Sequence, residues 1–276
     1  MLSKLIKYDI RSTWRDFAGI YLSILLGVII VPLILNNADS MILNMSAGFI
    51  ATAIIIAVVV VTIINLFKIF NNNVFSKEGY LTMTLPVTSG QIITSKLLVS
   101  SMWIVLTGLI SAIGIFIFTM IIAQNPFMEL IAYIKEFFSQ IGGKNTSALI
   151  FTVILLALSM VITTAKEIAK LFLACSIAHL KQLSRFRIPA GILSYFVFTW
   201  LETMIVQFFT WVAGLFSNNF SEIIIRMDSI KDPTQIFQFI SYFDLITGIG
   251  MLYTLLLIIV YSIGTAWILN HKLDLD

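Results

Sequence analysis

Six apolar stretches, each long enough to cross a bilayer as a helix, dominate this sequence and leave little room for another architecture. A spanning helix takes roughly 20 mostly apolar residues, and the stretches fall at 17–35, 46–70, 97–123, 147–180, 188–216 and 245–269. Composition agrees: 59% of the 276 residues are hydrophobic and 11% are charged, where a soluble domain carries about a quarter charged. The chain therefore reads as an all-α polytopic membrane protein, one transmembrane domain over residues 1–276 with six spans. The fourth and fifth stretches exceed what a bilayer requires, so each tilts, protrudes or breaks partway.

Orientation follows from Lys and Arg, because short loops rich in them stay cytoplasmic. Thirteen of the seventeen lie in residues 1–16, 68–96, 166–187 and the tail after Leu269; only Lys135, Lys144, Arg226 and Lys231 lie in the alternate connections. Both termini are expected to be cytoplasmic. The basic start also suits a signal peptide, but the apolar stretch is longer than the usual h-region and no A-x-A-like site follows at Asn36 to Ser40, so it reads as a retained span. Within residues 1–16, Leu2, Leu5, Ile6, Ile10 and Trp14, continued by Phe17, share one helical face, while Lys4, Lys7, Arg11 and Arg15 fall mainly on the other. That pattern predicts an amphipathic interfacial helix, or else a charged flank that only sets topology.

The connection between spans two and three is the most informative polar stretch. Residues 71–88 mix apolar and polar side chains, end a short helix at Pro86 and restart with Thr88 or Ser89 available as an N-cap. A short helix lying across the membrane surface fits that pattern; a polar loop with a turn is the plainer alternative.

Several segments together resemble the membrane permease subunit of type 2 ABC exporters, in the branch common in Gram-positive bacteria. They are Lys4-Leu5-Ile6-Lys7-Tyr8-Asp9, the run Phe75 to Leu85 with Glu78-Gly79-Tyr80-Leu81-Thr82 and Leu85-Pro86-Val87, Ser95-Lys96-Leu97, and Ala174 to Leu180 near the end of the fourth span. The likeness extends over the whole chain in span number and polarity, while its distinctive residues occupy about a tenth of it, the run from Phe75 being the most specific. The resemblance implies that the second connection forms a coupling helix docking into a cytosolic ABC ATPase subunit. Glu78, Tyr80, Leu81, Thr82 and Leu85 would form the docking surface, with Gly79 allowing a turn or close approach and Pro86 ending the element.

The rest of the sequence bears on energy supply and transport. A phosphate-cradling loop needs G-x-x-x-x-G-K-[ST], and the nearest run, Gly142-Gly143-Lys144-Asn145-Thr146, lacks the early glycine and the hydroxyl after the lysine. ATP and Mg are thus expected on the partner ATPase, with no cofactor or metal in this chain. Further expected partners are a second permease copy or paralogue and membrane lipid. No basic run suggests nucleic acid. Glu202, mid-way along the fifth stretch, costs about 3 kcal/mol at a helix centre on insertion scales. It is read as part of a substrate path or a proton-linked site, as a carboxylate hydrogen-bonded to Thr or Gln on a neighbour, or as marking a re-entrant break. Gln207 beyond it and Asn65 in span two read as interhelical hydrogen-bond partners, Gln207 also as a path residue. Lys166, Glu167 and Lys170 are expected to snorkel or line a wet cavity rather than to ion-pair. Gly108 and Ala112, four apart, invite close helix packing. Cys175 reads as a packed thiol.

Two histidines, no H-E-x-x-H and no nucleophile elbow leave no credible intramembrane enzyme. The expected function is that of an exporter permease in a bacterial cell membrane, carrying a peptide, such as an antimicrobial peptide, or another amphipathic compound outward. The alternative is a membrane scaffold or sensor without transport activity.

Overall fold

The computed structural model describes residues 2–37, 40–75, 87–122, 143–180, 186–216 and 233–271, with isolated positions between them. It is all-helical: six helices long and apolar enough to cross a membrane, with no strand among the described residues. In chain order they are α1 (Leu2–Asn37), α2 (Met41–Phe75), α3 (Ser89–Ile122), α4 (Gly143–Ala178), α5 (Arg187–Phe216) and α6 (Pro233–His271). Most extend past the apolar stretches because helix continues into the polar boundary, where hydropathy no longer marks it. At the start of α3, Thr88 Oγ1 accepts from the Gln91 amide and the Thr88 amide donates to Gln91 Oε1, both at 3.4 Å, a reciprocal capping box.

The contacts fall into two compact units, Met1–Phe137 and Phe138–Asp274. In the first, α1 packs against both α2 and α3. Residues on matching turns supply the core: Phe17, Ile20 and Ile24 of α1, Leu66 and Ile69 of α2, and Val99 and Trp103 of α3. The Phe17 ring stacks on the Trp103 indole at a centroid distance of 4.6 Å. Lipid tails are as apolar as these side chains, so close packing rather than escape from water holds such helices together. In the second unit, α4 packs against both α5 and α6. Its last third is the most buried part, with Ile168, Phe172, Leu173, Ala174 and Cys175 all inside. Small residues permit this approach: a Cβ on Gly191 of α5 would lie 3.2 Å from Ala178, and one on Gly264 of α6 would lie 3.2 Å from Leu173.

Three expectations are corrected. Residues 2–37 form one helix, so the interfacial segment 1–16 and the span 17–35 are not separate elements; Gly19, just past the junction, is accommodated within it and the one proline inside, Pro32, lies far beyond. Within the helix Leu5, Ile6 and Ile10 are half-buried and Trp14 is exposed, while Asp9 and Thr13 are buried. Second, α4 and α5 run unbroken through their polar residues, which removes the re-entrant break at Glu202. Third, within this chain Gly108 has nothing within 4 Å of a Cβ; the close approaches between its helices are at Gly27, Gly114, Gly191 and Gly264.

Candidate functional site

Two clusters of charged side chains are buried between helices, one in each unit. The larger begins with Lys166 and Lys170, one turn apart on α4, which bring two ammonium groups to the same face. Lys166 Nζ donates to Glu202 Oε2 at 2.7 Å and to Glu167 Oε1 at 2.8 Å. Lys170 Nζ lies 2.8 Å from Glu167 Oε2 and 3.3 Å from Glu202 Oε1, and 4.9 Å from the centre of the Tyr195 ring. Two tyrosines complete the carboxylates: Tyr261 of α6 donates to Glu202 Oε1 at 2.6 Å, and Tyr195 of α5 donates to Glu167 Oε2 at 2.9 Å.

This cluster joins α4, α5 and α6 and is charge-neutral, two ammonium groups against two carboxylates. A lone charge in this setting costs several kcal/mol; partners with good geometry and filled hydrogen-bonding capacity offset that cost. Each carboxylate receives bonds from both lysines and one tyrosine. The side chain of Lys170 is 1% exposed, whereas that of Glu167 is 40% exposed, so the cluster has a closed side and an open edge. The expectation that Lys166, Glu167 and Lys170 snorkel without ion pairing is therefore overturned: Glu202, 36 residues further along the chain from Lys166, supplies the missing charge. Glu202 is hydrogen-bonded to neighbouring helices as one reading had it, but through lysines and a tyrosine rather than Thr or Gln.

The second cluster ties α1 to α3. Asp9 is 1% exposed; one carboxylate oxygen pairs with the Lys96 ammonium and the other accepts from Ser95 Oγ at 2.9 Å. One turn on, Thr13 Oγ1 donates to the Asp9 carbonyl at 2.8 Å and accepts from Trp103 Nε1 at 2.9 Å. Sequence reading singled out Lys4–Asp9 and Ser95–Leu97 separately and missed that they meet. The available signal was that Asp9 lies among the basic and apolar residues of the first helix, and that the third helix carries one lysine, near its head.

The remaining candidates are less connected. Gln207 is exposed on α5 and is not brought to Glu202, which is buried. Asn65 is buried beside Leu66 near the end of α2. Cys175 is buried within α4, and its carbonyl meets His179 Nδ1 at 2.9 Å. Glu78, Gly79, Tyr80, Leu81, Thr82, Leu85 and Pro86 lie outside the described residues. Among the described residues no group of three or more His, Cys, Asp or Glu is placed to hold a metal ion.

No protein-family model, no curated protein and no solved structure matches this chain. Fold and clusters define an all-helical, multi-pass membrane protein whose helices are fastened by internal ion pairs.

Proposed function

We propose that this chain is the transmembrane permease subunit of an ATP-driven exporter of the type 2 ABC class, moving a peptide or other amphipathic compound out of the cell. The observation that carries the reading is the Asp9 contact with Ser95 and Lys96. It joins two of the segments on which the resemblance rests, directly beyond the connection that would dock the ATPase. In this reading Glu78, Tyr80, Leu81, Thr82 and Leu85 contact a cytosolic ATPase. Closure of the ATPase pair displaces the head of α3 at Ser89, and the buried pair at Lys96 passes that displacement to α1. ATP and Mg are held by the partner. A second permease copy or paralogue completes the pore, with both termini cytoplasmic. Because Glu202 is saturated by its own lysines and tyrosine, it is assigned to holding α4, α5 and α6 together, and Gln207 remains the candidate path residue.

The test is co-purification from the native host after mild detergent extraction. A nucleotide-binding subunit is expected to accompany the wild-type chain and to be lost with Leu81→Asp, while Glu78→Ala weakens the association. Absence of any ATPase from the wild-type preparation sinks the reading and favours a scaffold or sensor.

A further inference from the structure

The helices of the first unit are fastened unequally. α1 and α3 are joined from end to end: the Asp9 cluster at one end, the Trp103 contacts with Thr13 and Phe17 in the middle, and Asn36 Nδ2 donating to the Ile121 carbonyl at 2.8 Å at the other end. In α2, by contrast, the hydroxyls of Ser46, Thr52 and Thr62 all donate to carbonyls of α2 itself. Among its described side chains the buried ones are Ala47 near the start and Asn65, Leu66, Ile69 and Phe70 near the end, and none of residues 48–64 is buried. Alongside that unburied stretch lies an apolar cleft of about 600 Å³, with Ala51 and Ile55 of α2 on one wall, Ser111 and Ile115 of α3 on the other, and Gly27 and Val31 of α1 as its floor.

We propose that α1 and α3 move as one body, with Asp9 and Lys96 as the positioning residues that join them, and that α2 is the moving helix of this unit, pivoting on Leu66 and Ile69. Those two side chains belong to the core, so that end of α2 is anchored. The stretch opposite the cleft is about 22 Å away along the helix axis, from Leu66 to Ala51 at ~1.5 Å per residue. A small rotation at the anchored end thus becomes a large displacement at the cleft. Gly27 sets one limit: a Cβ there would meet Ile54 Cδ1 at 2.9 Å, so α2 already lies against α1 and cannot move closer to it, while the cleft leaves space on its α3 side. The anchored end lies six residues before the end of α2 at Phe75, so a pull on the connection that follows is levered into opening or closing the cleft. This inference does not depend on an ATPase being the source of the pull.

Distances between pairs of spin labels test it, measured by double electron–electron resonance on the full chain in lipid nanodiscs, with Cys175→Ala as background. Labels at Ile56→Cys and Ile113→Cys report α2 against α3, and labels at Ile30→Cys and Ile113→Cys report α1 against α3; all three positions are exposed. The α2–α3 distribution is expected to be at least twofold broader than the α1–α3 one, or bimodal. Equal widths overturn the proposal. Introducing Asp9→Asn is expected to broaden the α1–α3 distribution, while Asp9→Glu keeps it narrow; an unchanged α1–α3 width with Asp9→Asn overturns the role given to the pair. Should Asp9→Asn fail to accumulate, the comparison of the two pairs in the otherwise unaltered chain decides.

Discussion

Glu202 illustrates how a charge can be cheap in one place and costly when altered. It sits in the middle of α5, yet three donors from two other helices reach it. Replacing it with alanine leaves Lys166 and Lys170 with the half-exposed Glu167 alone, and removing one partner of a buried ion pair costs about 3–5 kcal/mol. Glu202→Ala is therefore expected to lose stability on that scale, read from thermal unfolding in detergent. Tyr261→Phe removes one hydrogen bond to a charged group and is expected to cost about 1.5–3 kcal/mol. If Glu202→Ala unfolds at the wild-type temperature, the cluster is not what holds α5. Lys166, Glu202 and Tyr261 were each legible as polar groups in apolar stretches. Their meeting was not, because Glu202 lies 36 residues from Lys166 and 59 from Tyr261, and hydropathy carries no pairing information across such separations. Charge bookkeeping offered the one hint: two lysines and two glutamates within the fourth and fifth stretches balance only if they pair.

At the level of elements, the six helices were readable because the bilayer sets a length that apolar runs must satisfy. Their ends were not, since α2 and α6 continue as helices well into polar sequence. Nor was it readable which glycines matter, because the sequence does not say which helix face meets another. Three glycine-to-alanine replacements separate the cases by what the new methyl group meets. Gly108 of α3 faces open space, so alanine there is expected to be neutral or to stabilise by up to about 1 kcal/mol through helix propensity. At Gly264 of α6 the neighbour is Leu173 Cδ1, the far end of a side chain that can turn aside, and a change under about 1 kcal/mol is expected. At Gly191 of α5 the neighbour is Ala178 Cβ at 3.2 Å, which cannot yield without moving α4, and a loss of about 1–3 kcal/mol is expected. Melting temperatures that ranked Gly108→Ala below Gly191→Ala would contradict the packing of α5 on α4.

For the whole molecule, the sequence constrains sidedness more directly than helix packing does, because the bias of Lys and Arg acts during insertion. With each of the six helices crossing once, Lys4 near the start of α1 and Arg187 at the start of α5 are expected on one face of the membrane, and Ile42 at the start of α2 on the other. The basic residues around Lys4 and Arg187 make that face the expected cytoplasmic one. In intact cells, a membrane-impermeant maleimide is expected to label Ile42→Cys and to leave Lys4→Cys and Arg187→Cys untouched until the membrane is permeabilised. All three positions are exposed, so protection reports sidedness rather than burial, and the one native cysteine, Cys175, is buried and contributes little background. The reverse pattern would place the connection after α2 outside the cell. No cytosolic ATPase could then reach Glu78 to Pro86, and the exporter reading would fall while the helix fold and its two ion-pair clusters stood.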